Sequence, residues 1–131
     1  MLEGLNKEQL EAVKQTEGPL LVLAGAGSGK TKVLTTRIAY LIKEKNISPY
    51  NILAITFTNK AANEMKERIY KMLGNINGMQ ISTFHSFGLR IIKENYETLG
   101  YKSNFTIIDS DDSLTIIKKI MKDLNIDPKV F

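Results

Sequence analysis

Gly25, Gly27, Gly29, Lys30 and Thr31 fall within one short stretch, AGAGSGKT, and their types and spacing suit them to holding a phosphate chain. Glycine lets the backbone reach left-handed conformations and approach a ligand with no Cβ in the way. Consecutive N–H groups in such a turn converge on an anion, and a helix starting near Lys30 adds the positive end of its dipole. The Lys30 ammonium supplies a full charge for β- and γ-phosphates, and the Thr31 hydroxyl is a ligand for Mg²⁺. The spacing is A-x4-GKT, with Ala24 where the phosphate-loop pattern carries its first glycine. Ala is small enough to leave that reading intact. The candidate nucleotide-binding residues are therefore Ala24, Gly25, Ala26, Gly27, Ser28, Gly29, Lys30 and Thr31. Lys30 and Thr31 are also the catalytic candidates, and Thr31 is the metal ligand. The competing reading is a flexible glycine-rich hairpin followed by a chance Lys-Thr.

Such a loop needs a strand before it and a helix after it. Leu20 to Leu23 is an apolar run and predicts a strand buried on both faces of a parallel sheet. Thr31 to Lys45 follows as a helix with Leu34, Ile38, Leu41 and Ile42 as its core stripe. Ile52 to Phe57, ILAITF, predicts a second parallel strand lying beside the first, because βαβ crossovers are short and right-handed. Asn59 to Leu73 is then a helix with Ala62, Met65, Ile69 and Met72 inward, closed by Gly74. Met79 to Thr83 is a third short strand. The segments after the strands, Thr56 to Asn59 and Thr83 to Ser86, lie at the carboxyl edge, where open α/β sheets bind ligands.

Upstream, Leu5 to Gln15 is a helix capped by Asn6, with Gln9 placed to complete a capping box. Gln9 has a second possible task, since a carboxamide pairs bidentately with the N6/N7 edge of adenine. Downstream of Ser86 the pattern turns helical. Leu89, Ile92, Tyr96 and Leu99 mark a helix ended by Gly100. Ser110 caps a last helix, with Leu114, Ile117, Met121 and Leu124 as its stripe and Pro128 closing it.

The 131 residues are 43% hydrophobic and 24% charged, which suits one globular domain and excludes a disordered chain. No cysteine is present, which excludes disulfides and cysteine metal sites and fits a cytoplasmic setting. No signal pattern or membrane-length apolar run occurs. The net charge of +4 mildly favours a polyanionic partner.

Four stretches together resemble the UvrD/PcrA/Rep-type superfamily 1 DNA helicases. LNKEQLEAV is similar to the family's Q motif, AGAGSGKT to motif I, ITFTNKAANEMKERI to motif Ia and ISTFHSF to the Ib region. The resemblance implies an incomplete RecA-like P-loop α/β domain with helices on both faces of a parallel sheet, residues 1–87. The start of an inserted helical subdomain follows, residues 88–131. It implies ATP and Mg²⁺ as cofactors and Gln9 as the adenine reader. It implies single-stranded and duplex DNA as partners, with Phe57, Thr58, Asn59, Thr83 and His85 along the strand. The parent would be a 3′–5′ helicase of repair or replication, whose Asp-Glu box, arginine fingers and second motor domain belong to a longer chain. A rival reading takes Phe105 to Asp109 as the acid-tipped strand of a self-contained P-loop kinase. A third takes the chain as a binding module without turnover. Against the kinase, Asp109, Asp111 and Asp112 also serve as helix-start residues.

Overall fold

The computed structural model describes residues 2–127. Within them the order is α1 (Lys7–Lys14), α2 (Lys30–Lys43), a 3-10 turn (Pro49–Asn51), β1 (Leu53–Thr56), α3 (Asn59–Leu73), β2 (Gln80–Thr83), α4 (Phe84–Glu94) and α5 (Ser110–Asp123). β1 and β2 form a parallel two-stranded ladder, with Leu53 opposite Gln80 and Thr56 opposite Thr83. The chain divides into two compact units, Met1–Arg90 and Ile91–Phe131.

The first unit is a mixed α/β body built around the α3 crossover. Thr58 caps α3, its hydroxyl accepting from the Ala61 N–H at 3.1 Å. Ala62, Met65 and Ile69 recur at helical spacing and are buried. They meet Ala54 and Ile81 of the ladder, together with Ile38 of α2 and Ile52. Gly74 ends α3 at φ +77°, and its N–H donates to the Tyr70 carbonyl. The return to β2 is tight. Gly78 has φ +95°, and a Cβ there would stand 2.6 Å from the Tyr50 ring, so only glycine fits beneath that aromatic. α1 packs on α2, burying Ala12 and Val13.

The clearest departure from the sequence reading is Leu20 to Leu23. These residues form no strand, and Leu21 and Leu23 are 81% and 87% exposed. A strand exists only as a member of a ladder, and the ladder partner of β1 is β2 rather than this run. β1 therefore forms no ladder with Leu20–Leu23. Leu34 also falls outside the core stripe expected of α2, which buries Thr35, Thr36, Ile38 and Ala39 instead.

In the second unit, α4 has ended at Glu94, so Tyr96, Leu99 and Gly100 lie in turns beyond it. The Tyr101 and Phe105 rings stand 5.8 Å apart. Phe105 to Ile108 joins no ladder. The cap of α5 is Asp109, not Ser110. Leu114, Ile117 and Leu124 mark one stripe of α5, yet all three are exposed. Pro128 lies outside the described residues.

The packing of α3 sets a stability test. Ile69→Ala removes a side chain buried at the centre of the core and should lower the unfolding free energy by about 2–5 kcal/mol, read as a shifted urea midpoint. Lys71→Ala, on the solvent side of α3, should change it by less than about 0.5 kcal/mol.

Candidate functional site

The glycine-rich loop has a defined shape. Gly27 and Gly29 take left-handed φ values of +74° and +80°. The Gly25 carbonyl accepts from the Ser28 N–H at 3.3 Å and from the Ser28 hydroxyl at 2.7 Å, which closes the turn. A Cβ at Gly25 or Gly27 would meet nothing within 4 Å, so the turn is open to a ligand rather than packed. α2 starts at Lys30 with Gly29 as its cap and no side chain bonded to its first N–H groups. That end differs from the starts of α1, α3 and α5, each closed by an Asn, Thr or Asp acceptor. The first N–H groups of a helix have no intrahelical partner, so those of α2 are available to an outside acceptor, which an anion can supply. The Lys30 ammonium donates to the carbonyls of Ala24 at 3.2 Å and Gly25 at 2.9 Å. It therefore stands at the loop. Thr31 is the next residue, half-buried in the first turn of α2.

Gln9 is joined to this loop. Its Oε1 accepts from the Asn6 N–H at 3.0 Å, and the Asn6 Oδ1 accepts from the Gln9 N–H at 2.8 Å. The capping box is therefore real. The same carboxamide donates through Nε2 to the Ser28 carbonyl at 3.0 Å. A carboxamide has two N–H donors and two acceptor lone pairs, so each end keeps one further position for a ligand. Gly29 is required here twice over, since a Cβ on it would approach Gln9 Nε2 to 3.1 Å at a left-handed φ. Arg37 holds the other end of α1. Its Nη1 donates to the Ala12 carbonyl at 2.6 Å and also to that of Gln15. Lys32 donates to the Gly4 carbonyl at 2.6 Å. A cavity of about 630 Å³ opens between α1 and the loop, lined by Gln9, Leu20, Val22, Ala24, Ser28, Lys30 and Arg37 among others. This falls within the usual size of small-molecule sites.

The second group of candidates sits at the carboxyl end of the ladder. The register brings Thr56 and Thr83 side by side, so Phe57, Thr58 and Asn59 follow one strand while Phe84 and His85 follow the other. Phe57 is 91% exposed, so its ring is no part of the core of this unit. The Thr58 hydroxyl is engaged in capping α3, and its carbonyl accepts from the Thr56 hydroxyl at 2.9 Å. Asn59 and His85 are exposed. Thr83 is only 5% exposed. Its hydroxyl donates to Ser86 Oγ at 3.0 Å and accepts from the Ser86 N–H at 3.2 Å, so it fixes the start of α4. The sequence reading passed over Phe84, which is 68% exposed at this edge. Its signal was its place directly after the strand, matching that of Phe57.

Asp109 has a full structural task. Its Oδ1 accepts from the N–H groups of Asp111 at 2.9 Å and Asp112 at 2.8 Å, while Asp112 Oδ2 accepts from the Asp109 N–H at 3.2 Å. Among the described residues no group of three His, Cys, Asp or Glu could hold a metal ion, and no helix is long and apolar enough to cross a membrane.

Residues 5–131 match the family model of the UvrD/REP helicase N-terminal domain. Over its whole length the chain is 58% identical to the ATP-dependent DNA helicase PcrA of Staphylococcus aureus strain Mu50 and to that of Bacillus subtilis strain 168. Against the PcrA of Staphylococcus epidermidis the identity is 55%. The chain spans 18% of the length of each of these relatives.

The capping geometry of Asp109 separates two kinds of loss. Asp109→Ala should cost α5 about 1 kcal/mol, seen as reduced helicity by circular dichroism. Asp109→Asn should cost little, because Asn caps about as well as Asp.

Proposed function

The chain belongs to the UvrD/REP helicase N-terminal domain family, and from that premise we propose that it is the ATP-binding N-terminal portion of a 3′–5′ DNA helicase. The parent moves along single-stranded DNA and unwinds duplexes in repair or replication. The observation that carries this reading is the start of α2. There a left-handed glycine turn, an uncapped helix end and the Lys30 ammonium converge beside a nucleotide-sized cavity. In this reading residues 1–87 are the beginning of a RecA-like P-loop motor domain, and residues 88–131 begin an inserted helical subdomain.

Each residue then has a task. The N–H groups from Gly25 to Thr31 bind phosphate oxygens, and Lys30 neutralises charge on the β- and γ-phosphates. The Thr31 hydroxyl would hold Mg²⁺, which would supply positive charge to offset that of the phosphates. Gln9 presents its carboxamide to adenine while the capping box keeps it oriented. At the ladder edge Phe57 stacks on a base. Thr58, Asn59 and His85 offer polar contacts to the same strand, and Thr83 orients His85 by holding the start of α4. Supporting the helicase over the self-contained kinase is the carboxylate of Asp109, whose Oδ1 is occupied by two backbone N–H groups of α5. The water-orienting acid, the arginine finger and the strands that would cover Leu20–Leu23 are supplied by the longer parent chain.

Charge-assisted hydrogen bonds contribute about 1.5–3 kcal/mol each, so Lys30→Ala should weaken ATP binding at least about tenfold by calorimetry. Equal affinity of the two proteins would remove the nucleotide reading. The 131-residue chain with Mg²⁺, ATP and single-stranded DNA should release phosphate far below the roughly 1–100 s⁻¹ of enzymes that transfer phosphoryl groups. Turnover in that range, abolished by Asp109→Asn, would instead establish the kinase alternative.

A further inference from the structure

We propose that Arg37 is a positioning residue for nucleobase recognition: by clamping the carboxyl end of α1 onto α2 it sets where the Gln9 carboxamide stands relative to the phosphate loop. The proposal rests on the reading of Gln9 as the adenine contact and adds to it a residue outside the assigned set.

α1 cannot fix its own orientation. It has 8 residues, and helices shorter than about 12–15 residues are marginal in water without tertiary support. Its capping box joins Asn6 to Gln9 within one turn, so it sets the Gln9 side chain against α1 and not α1 against its surroundings. The carboxyl end has no cap of its own. Gln15, the C-cap residue, is extended at φ −71° and ψ 94°, so no left-handed residue folds back over the last carbonyls. Those carbonyls have no intrahelical partner. Arg37 supplies one from elsewhere in the sequence, its Nη1 donating to the Ala12 carbonyl at 2.6 Å and to that of Gln15. A cation is favoured at this end of a helix dipole, and charge-assisted bonds are roughly twice as strong as neutral ones. Val13, between the two carbonyls, is 0% exposed, so the clamp and the buried contact act at the same point.

The helix that carries Arg37 also holds the phosphate loop. Lys30 and Arg37 stand seven residues apart on α2, which is two turns and about 10.5 Å along the axis, and so share one face. Both line the cavity, as does Gln9 of α1. α2 is thus a rigid spacer between the loop and the helix that presents the carboxamide. The direct tie, from Gln9 Nε2 to the Ser28 carbonyl, is exposed, and a bond of this kind contributes little by itself. Lys32 reaches only Gly4, ahead of the helix. The carboxyl end of α1 therefore relies on Arg37.

The test measures binding of ATP, inosine triphosphate and inorganic tripolyphosphate to the 131-residue chain by calorimetry with Mg²⁺ present. Inosine triphosphate differs from ATP only in its base, whose C6 carries a carbonyl in place of the N6 amine. The wild type should prefer ATP by about five- to a hundredfold, the discrimination of one bidentate contact. Arg37→Met keeps the apolar stem and removes the donors. It should bring that ratio to within about twofold of unity and leave tripolyphosphate affinity within about twofold of the wild type. Gln9→Ala should abolish the preference too, and the double variant should lose no more than either alone, because both act on one contact. If Gln9→Ala removes the preference and Arg37→Met keeps it, this proposal falls and the reading of Gln9 stands. Equal losses for all three ligands in Arg37→Met would place Arg37 at the phosphates or in the stability of the fold, and overturn the proposal. Should Arg37→Met not fold, Arg37→Gln carries the same comparison, its amide being too short to reach both carbonyls; a wild-type ratio there overturns the proposal. If the wild type shows no preference for ATP, both readings fall together.

Discussion

The glycine-rich turn is tied to α1 by one hydrogen bond, from the Gln9 carboxamide to the Ser28 carbonyl. It fastens a helix that precedes the loop to the loop itself, across a long stretch of intervening chain. By itself an exposed hydrogen bond contributes little, on the order of 1 kcal/mol. Its effect comes from what stands behind it. The capping box fixes the Gln9 rotamer, and the Arg37 guanidinium anchors the far end of α1 to α2 through the Ala12 and Gln15 carbonyls. Loop, α1 and α2 are thus joined in a closed circuit of hydrogen bonds. A bound phosphate chain would meet an arrangement already set, which reduces the ordering cost of binding.

The opposite condition holds at Leu20–Leu23. Four consecutive apolar residues are exposed, Leu21 and Leu23 almost fully, and contiguous exposed apolar surface of this kind marks a place where something else packs. The run leads straight into the loop, so whatever pairs with it also steadies the loop from behind. The exposed stripe of α5 is a similar surface in the second unit. Both are consistent with a chain that spans 18% of the length of its relatives.

Local chemistry was legible in the sequence, and long-range pairing was not. The capping box of Asn6 and Gln9, the extent of α3 from Asn59 to Leu73 and the burial of Ala62, Met65 and Ile69 all followed from spacing. These depend on contacts within one turn or one face. Leu20–Leu23 was misplaced because an apolar run records a preference for burial without naming the partner that supplies it. The capping of α5 was misassigned by one residue, since Asp109 and Ser110 are both good caps and only the backbone turn decides between them. Gln9 was read as having two competing tasks. The structure shows the cap, and beside it a bond the sequence did not announce, from the other end of the same carboxamide to the Ser28 carbonyl. Phe84 was overlooked because exposure cannot be read from a residue that also fits a core helix.

The carbonyls of Ala24 and Gly25, which accept from the Lys30 ammonium, are intramolecular competitors of any incoming anion for that cation. The loop already has a cation of its own neutralising its carbonyl dipoles, at an effective concentration no solute can match. In the proposed reading, nucleotide affinity at this position would be a difference between two sets of charge-assisted bonds rather than the full strength of the new ones. A substitution that weakened the carbonyl contacts, without touching the lysine, would make the resting loop a worse host for its own side chain and a better one for a guest.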